Sequence, residues 1–235
     1  MKNYIICGNC KTENLFYQLT CENCGAYIRD RVNNIDLWNI LGLIIENPRK
    51  AFKIIINSEH KNFVFVILFF ASIKFYIDSI FISLLSPESK TVHTNIFLDY
   101  SFIFIQVFLI IVILSFLFSL IEKSLGLITR SKDNFAIITY SLVPHFFAAI
   151  IIFPIELILF GEYLFSTNPS PFELKGTLAY TLLVFETLII IWSFFLLTIG
   201  FIAKSKNIFY SVSSSLLISL IIFSSLYLTT KLIFS

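Results

Sequence analysis

Four cysteines near the start of the chain have the spacing of a metal site. They form two pairs, Cys7 with Cys10 and Cys21 with Cys24, and ten residues separate the pairs. Two Cys-x-x-Cys turns can direct four thiolates to one ion in the tetrahedral geometry that structural zinc requires. Because four thiolates leave no coordination position for water, such an ion is structural and not catalytic. The sequence therefore predicts a structural Zn²⁺ cofactor bound by these four cysteines.

Other uses of the four cysteines are open but weaker. Four thiolates also suit iron, which is the alternative metal. Disulfides or a thioredoxin-type redox pair fit less well, because we expect this segment to face a reducing compartment and no βαβ pattern adjoins it. The ten residues between the pairs are too few for a hydrophobic core. We therefore expect metal binding to supply most of the folding free energy of this segment.

A second group of residues that could do chemistry is polar and lies within long apolar stretches. An ionisable side chain at membrane depth costs free energy and is a functional hypothesis by default. Lys74 and Asp78 are four residues apart, on one face of a helix, where they can pair. We expect this pair to fix helix packing. Glu186 has no partner nearby in the sequence, so it must pair across the helices or keep a proton.

His145, Glu156 and Glu186 define an alternative function, that of a small membrane transporter or channel. Their side-chain types suit a proton relay or a metal pocket, but their spacing matches no motif. Transporters commonly carry repeats with paired broken helices, and the sequence has no clear duplication. The sequence also lacks Gly-x-Ser-x-Gly, His-Glu-x-x-His and a Gly-rich phosphate loop, so we expect no enzyme.

The elements that must position these residues are apolar blocks. Of the 235 residues, 57% are hydrophobic and 14% charged, and the mean hydropathy is +0.86, whereas roughly a quarter of the residues in soluble domains are charged. Crossing a bilayer takes about 20 mainly apolar residues. Five blocks reach that length: 63–85, 96–121, 135–160, 177–203 and 208–234. They do not alternate like barrel strands, so the sequence predicts an all-α polytopic membrane protein with five transmembrane helices.

Polar stretches connect the five blocks. They are residues 86–95, 122–134, 161–176 and 204–207. The last stretch is so short that the fourth and fifth helices must form a tight antiparallel hairpin. In the third block, we expect Pro144 and Pro154 to bend or break the helix, because proline lacks the backbone N–H that helices use.

The orientation follows from the basic residues that flank the blocks, because Lys and Arg are retained on the cytoplasmic side. Thirteen of them lie in 1–62, 122–134 and 204–207, against three on the other side, Lys90, Lys175 and Lys231. We expect the amino terminus in the cytoplasm and the carboxyl terminus outside the cell membrane. The first 30 residues are polar and lack the apolar core of a signal peptide. The net charge of +2 is too low to argue for a nucleic-acid partner.

The segment between the cysteines and the first apolar block predicts helices at the membrane surface. Apolar residues recur at helical spacing over 35–45, and Asn47 with Pro48 has the residue types of a helix start. The interface candidates are Trp38, Arg49, Lys50 and Lys53. Cations of this kind meet anionic headgroups while aromatic rings lie at headgroup depth. Packing of these helices beneath the membrane domain is an equal and compatible interpretation.

Three stretches of the chain resemble motifs of one family of five-span membrane proteins. Residues 47–52, Asn-Pro-Arg-Lys-Ala-Phe, resemble the Pro-x-x-x-Phe segment that precedes its first span. Residues 139–144, Thr-Tyr-Ser-Leu-Val-Pro, resemble its Ala-Tyr-x-x-x-Pro stretch in the third span. Residues 192–201 resemble its Trp-to-Gly region in the fourth span. Together the three stretches resemble the Yip1 family. The resemblance implies a cytoplasmic amino-terminal region and a five-helix bundle, in agreement with the charge count.

The cysteine pairs resemble the zinc-ribbon knuckles at the ends of many prokaryotic proteins, which commonly act as interaction modules. Eukaryotic Yip1-like proteins are associated with vesicle traffic, small-GTPase binding and membrane shaping. Here a ribbon stands in place of their longer cytoplasmic region, so those roles are not transferred to this chain.

These observations predict three parts and one role. The parts are a zinc ribbon at 1–28, a linker with interfacial helices at 29–62 and a Yip1-like transmembrane domain at 63–235. The predicted role is a non-enzymatic scaffold or adaptor in a prokaryotic cell membrane, whose ribbon recruits a protein partner on the cytoplasmic side. The sequence leaves the oligomeric state open.

Overall fold

The computed structural model describes residues 3–29, 31–85 and 95–234. The first polar connection lies outside this part of the chain except for its last residue. Lys2 and Lys90, which enter the charge count, are also outside it. The described chain is mainly helical.

The chain begins with a small two-stranded sheet and continues in helices. Ile5 of β1 (Ile5–Ile6) lies opposite Asn14 of β2 (Glu13–Asn14) in an antiparallel pair. The helices are α1 (Leu37–Glu46), α2 (Pro48–Asn57), α3 (Val64–Ser83), α4 (Ile96–Ser124), α5 (Ser131–Tyr140), α6 (Val143–Phe160), α7 (Pro171–Leu174), α8 (Gly176–Ser205) and α9 (Ile208–Phe234). A 3₁₀ turn at Gly161–Phe165 follows α6.

Five helical segments are long and apolar enough to cross a membrane, which confirms the predicted fold class. They are Val64–Ser83, Ile96–Ser124, Ser131–Phe165, Gly176–Ser205 and Ile208–Ile233. Lys206 and Asn207 alone separate α8 from α9, as the predicted tight hairpin requires.

The third span is interrupted near its first proline. Helix α5 ends at Tyr140 and α6 begins at Val143, with Pro144 in its first turn. A proline is tolerated there because the first N–H groups of a helix have no intrahelical partner. Pro154 lies inside α6, which continues past it to Phe160. The break expected from the two prolines therefore falls before Pro144.

Side-chain caps define where α1 and α2 begin. The Asp36 carboxylate accepts a hydrogen bond from the Asn39 N–H, at 3.2 Å. The Asn47 side chain does the same for the Lys50 N–H at 3.2 Å, and Pro48 is the first residue of α2. These caps satisfy N–H groups that the first helical turn leaves unpaired. The predicted helix start at Asn47 is confirmed.

The described chain forms two compact units. The first consists of Met1–Val64, Ile111–Tyr140 and Leu196–Ser215, and so contains the sheet, α1, α2 and α5. In its core, the ring of Phe52 packs where Gly200 has no side chain, and both residues are buried.

The second unit consists of Phe65–Ile110, Ser141–Phe195 and Leu216–Ser235, and so contains most of α3 and all of α6. Its core is rich in aromatic rings: Phe81 lies 4.9 Å from Phe172 between ring centroids. Helices α4, α8 and α9 contribute residues to both units.

Candidate functional site

The four cysteine sulfurs converge at one point of the amino-terminal module. The Sγ atoms of Cys7 and Cys24 are 3.6 Å apart, and those of Cys10 and Cys21 are 3.4 Å apart. All four sulfurs lie within 4.8 Å of one another. Zn–S bonds of about 2.3 Å at tetrahedral angles place sulfurs about 3.8 Å apart. The cluster is therefore compatible with a single four-coordinate metal ion.

The two halves of the cluster use the same backbone turn. The Lys11 N–H donates to the carbonyl of Cys7 at 3.1 Å, and the Gly25 N–H donates to the carbonyl of Cys21 at 3.0 Å. Both donors have left-handed backbones, with φ of 61° and 70°. Glycine adopts this conformation without strain, which explains why it stands at position 25. The repeated turn directs the sulfurs of each pair to the same side.

Hydrogen bonds favour the thiolate form at part of the cluster. The hydroxyl and backbone N–H of Thr12 lower the pKa of Cys10 to about 5, and a backbone hydrogen bond from Cys24 lowers the pKa of Cys21. A backbone hydrogen bond from Ala26 acts to lower the pKa of Cys24, but its contact with Cys10 and burial raise that pKa to about 11. A metal cation would favour the thiolate at all four positions, since it is the thiolate that ligates.

The module is attached to the segment that precedes α5. The Asn3 amide donates to the Ile128 carbonyl at 2.8 Å, and the Ile128 N–H donates to the Asn3 side-chain oxygen at 3.1 Å. The Arg130 guanidinium lies over the rings of Phe16 and Tyr17, with Cζ at 5.8 and 5.0 Å from the centroids. Such cation–π contacts contribute about 0.5–2 kcal/mol each.

A second attachment joins the module to the end of α2. Arg29 donates from one guanidinium nitrogen to the Tyr17 carbonyl at 2.8 Å and from the other to the Asn57 carbonyl at 3.2 Å. The Asn57 carbonyl belongs to the last turn of α2, whose carbonyls lack intrahelical partners. The cysteine module is thus held by two arginines rather than joined by a free tether.

The module nevertheless leaves apolar side chains in solvent. Tyr27 is 86% exposed and Ile6 is 63% exposed. Ile6 lies on β1, and Tyr27 forms the isolated bridge with Thr20. We call Ile6 and Tyr27 the ribbon face. Exposed aromatic and aliphatic side chains of this kind are enriched where proteins bind other proteins.

The polar residues expected within the spans meet in the second unit around Lys74. Lys74 is completely buried, and its Nζ lies 2.8 Å from Asp78 Oδ1 and 2.8 Å from Glu186 Oε1. Nζ also donates to both oxygens of Glu156, at 2.9 and 3.0 Å. We call these four residues the Lys74 cluster. Lys74 and Asp78 meet within α3 as expected, and Glu186 has its partner across the helices.

His145 takes a different partner. Its Nδ1 lies 3.0 Å from the Ser193 hydroxyl, and its ring centroid is 4.6 Å from that of Phe75. Glu156 and Glu186 therefore come together on Lys74, whereas the described contacts of the His145 ring are with serine and aromatic side chains. The three-residue set suggested by the sequence does not form one group around a common point.

The interface candidates are all on exposed surfaces of the first unit. Trp38 lies on α1 and is solvent-exposed, as is Ile45, two turns along the same face. On α2, the exposed basic residues are Arg49, Lys50 and Lys53, opposite a buried face of Ala51, Phe52, Ile55 and Ile56.

A second buried charge cluster was missed from the sequence. The Lys204 ammonium lies 2.6 Å from Glu122 Oε2 and 2.6 Å from the Thr129 hydroxyl, and it also donates to the Asn134 side chain. Stretches 122–134 and 204–207 were expected to be polar connections, but α4, α5 and α8 extend into them. One feature of the sequence could have indicated this cluster. Polar residues recur at helical spacing at Ser115, Ser119 and Glu122, which places them on one face of a helix that continues into the first of these stretches.

Comparison with known families identifies the transmembrane part of the chain. A family model described as the Yip1 domain matches residues 42–226, more than three quarters of the chain. The match includes the three stretches on which the resemblance rests and begins after the cysteine module. No curated protein and no solved structure matches the chain.

Proposed function

Because the chain belongs to the Yip1 domain family, we propose that it is a membrane-integral scaffold, without enzymatic activity, that recruits a protein partner through its cysteine module. The multi-pass architecture follows from the five apolar helices. Partner recruitment is the new element, and it is assigned to the part of the chain that precedes the family match.

We propose that the chain consists of three parts with different roles. Residues 1–28 form a zinc ribbon, 29–62 form a linker at the membrane surface, and 63–235 form the Yip1-type transmembrane domain. The family match starts at residue 42 and so excludes the ribbon. A partner specific to this chain is therefore best sought on the ribbon.

We further propose that the ribbon is cytoplasmic and the carboxyl terminus lies outside a prokaryotic cell membrane. The support is the excess of Lys and Arg on the flanks that share a side with the amino terminus. A reducing cytoplasm would also keep the four thiols available for zinc, and all four are free cysteines here.

The observation that carries the proposal is the placement of the ribbon face. Four-thiolate coordination has no open position for substrate, which argues for a structural metal. Arg29 and Arg130 hold one part of the module in place, while Ile6 and Tyr27 stay in solvent. An anchored module with exposed apolar side chains is suited to binding another protein.

The surface of α1 and α2 is proposed to lie against lipid headgroups. Trp38 supplies an exposed aromatic ring, and Arg49, Lys50 and Lys53 supply three exposed cations. Each cation near an anionic membrane surface contributes about 1 kcal/mol. This contact would keep the ribbon close to the membrane.

Quantitative co-purification tests recruitment. Tagged protein is purified from its own host in mild detergent beside Cys21→Ser, which removes a metal ligand, and beside Ile6→Glu with Tyr27→Glu, which alters only the ribbon face. Lys11→Gln, at an exposed position after the first cysteine pair, is the matched control. We expect one partner to be retained by the control and lost from both other variants. Equal recovery from all four proteins would contradict recruitment by the ribbon.

A further inference from the structure

The Lys74 cluster holds more acidic groups than its one cation can neutralise. Lys74 is surrounded by Asp78 from the same helix, Glu156 from α6 and Glu186 from α8. If all three carboxyls were ionised, the cluster would keep an excess of two negative charges. An uncompensated charge away from water is very costly, so proteins neutralise or pair such groups.

The cluster is also poorly supplied with water. The side chain of Glu156 is 1% exposed, that of Glu186 is 11% exposed, and Lys74 has no exposed surface. Water therefore cannot screen the excess charge. Asp78, at 18%, is the most exposed member and gives the cluster its contact with the surroundings.

Two of the carboxyl groups lie close together, although they come from different helices. Carboxylate oxygens of Asp78 and Glu186 lie within 4.8 Å of each other, and the Lys74 nitrogen lies 2.8 Å from an oxygen of each. Two ionised carboxylates are both acceptors and cannot form a hydrogen bond. A carboxyl–carboxyl contact is stable when the pair shares one proton, as in acid pairs that titrate together.

The Lys74 ammonium cannot donate to every acidic oxygen that surrounds it. Its Nζ lies 2.8 Å from Asp78 Oδ1 and 2.8 Å from Glu186 Oε1, besides its contacts with Glu156. The Lys74 ammonium has three N–H donors, and both oxygens of Glu156 already accept from it. Four acidic oxygens therefore share three donors, and a proton on the Asp78 and Glu186 pair would supply a fourth.

We propose that the Lys74 cluster is an intramembrane proton-binding site that holds one proton between Asp78 and Glu186 at neutral pH. Uptake takes a proton from water and places it between two carboxylate oxygens, and release returns it to water by way of Asp78. The Lys74 ammonium and the Glu156 carboxylate balance each other, so the singly protonated pair of Asp78 and Glu186 keeps one negative charge, half of the original excess. The nearby titratable group from α6 is His145, whose ring packs 4.6 Å from that of Phe75, the residue after Lys74.

Infrared spectroscopy of the purified full-length protein tests this proposal, with the proton itself as the ligand. A protonated carboxyl has a carbonyl stretch distinct from that of a carboxylate, and the band shifts in deuterated water. We expect this band at about pH 7 in the unaltered protein and its loss in Glu186→Gln, which keeps a hydrogen-bond donor towards Asp78. Glu162→Gln, at an exposed carboxylate in the turn after α6, should keep the band.

A second measurement covers the case in which Glu186→Gln does not fold. Isotope-labelled glutamate and, separately, labelled aspartate in the unaltered protein assign the band without any substitution. A band that shifts with both labels would support a proton shared by the pair. Absence of a protonated carboxyl at neutral pH would overturn the proposal, as would a band that moves with neither label. Stoichiometric metal bound in a protein with all four cysteines replaced by serine would also overturn it, since a metal cation would then balance the charge.

Discussion

The guanidinium of Arg130 lies over the ring of Tyr17, with 5.0 Å between Cζ and the ring centroid. Arg130 also forms a two-bond ion pair with Asp133, at 2.8 and 3.1 Å, and donates to the Ile56 carbonyl at 3.1 Å. Arg130 therefore joins the cysteine module to the start of α5, through Asp133, and to the end of α2, through the Ile56 carbonyl. This arrangement makes the position of the ribbon depend on residues outside it.

We expect Arg130→Gln to loosen the ribbon without emptying its metal site. The change removes the cation over two rings and one partner of the buried Asp133, which keeps Lys61 at 3.0 Å. Losing these contacts should destabilise the first unit by about 1–3 kcal/mol. Limited proteolysis should cleave the amino-terminal segment faster, with the zinc content unchanged. Arg49→Gln, on the exposed face of α2, is the control, and equal cleavage of both variants would count against the anchor.

Metal analysis should find about one zinc ion per purified chain. Cys21→Ser should reduce this to less than half, because three thiolates bind zinc much more weakly than four. Acidification should release the metal, since protons compete for the thiolates. Finding iron in place of zinc would change the identity of the predicted metal but would still support the four-thiolate site. A purified protein with less than about half an equivalent of either metal would reject the four-thiolate site.

Gly200→Ala should destabilise the protein by about 1–3 kcal/mol, the usual cost of overpacking. An added Cβ would lie 2.6 Å from Ile137 Cγ2 and 3.1 Å from two ring carbons of Phe52, so helices α2, α5 and α8 would have to separate. The matched control is Gly42→Ala in α1, where an added Cβ meets no described atom within 4 Å. Thermal unfolding in detergent should show a lower midpoint for Gly200→Ala but not for Gly42→Ala. Equal midpoints would mean that the close approach is unimportant.

Lys204→Met should be strongly destabilising, by about 3–5 kcal/mol, because it leaves Glu122 buried without its cation. Adding Glu122→Gln removes the uncompensated charge and should restore much of the loss. Lys206→Gln, at an exposed position of the hairpin, should have little effect. Comparing the single and double variants by thermal unfolding isolates the interaction free energy between Lys204 and Glu122. Additive losses in the double variant would show that the two charges do not interact.

Trp38 should report contact with lipid. The chain has two tryptophans, so Trp192→Phe leaves Trp38 as the single emitter. In nanodiscs, quenching by brominated anionic lipid should exceed quenching by brominated zwitterionic lipid. Replacing Arg49, Lys50 and Lys53 by Gln should remove this difference, since the cations attract the anionic headgroups. Quenching that is weak with both lipids would place Trp38 away from the membrane.

The apolar blocks and the cysteine spacing could be interpreted directly, because length, hydropathy and ligand spacing each follow from local sequence. The five spans and the helix start at Asn47 were obtained in this way. Contacts between residues on different helices could not be predicted from the sequence, because they depend on how the helices pack. Glu186 and Glu156 meet on Lys74 although up to 112 positions separate them, and no sequence spacing reveals that.

Errors of the sequence prediction concentrate at helix ends. Glu122 and Lys204 are charged and follow apolar blocks, so they were assigned to the polar connections between spans. In the structure, both are buried, because each neutralises the other where α4 and α8 continue. Charge alone is a weak indicator of exposure when an opposite charge is available. Only the three-dimensional packing shows whether a charged residue at a helix end is exposed or buried against an opposite charge.

Site-specific photo-crosslinking in the host cell tests recruitment by the ribbon most directly. A photo-reactive phenylalanine analogue is incorporated at position 27, with the same analogue at Tyr163, in the turn after α6, as the control. We predict that position 27 crosslinks to one distinct cellular protein, that the product disappears when Cys21→Ser is added, and that position 163 does not form it. Products at position 27 consisting only of lipid or of a second copy of this chain would contradict the account.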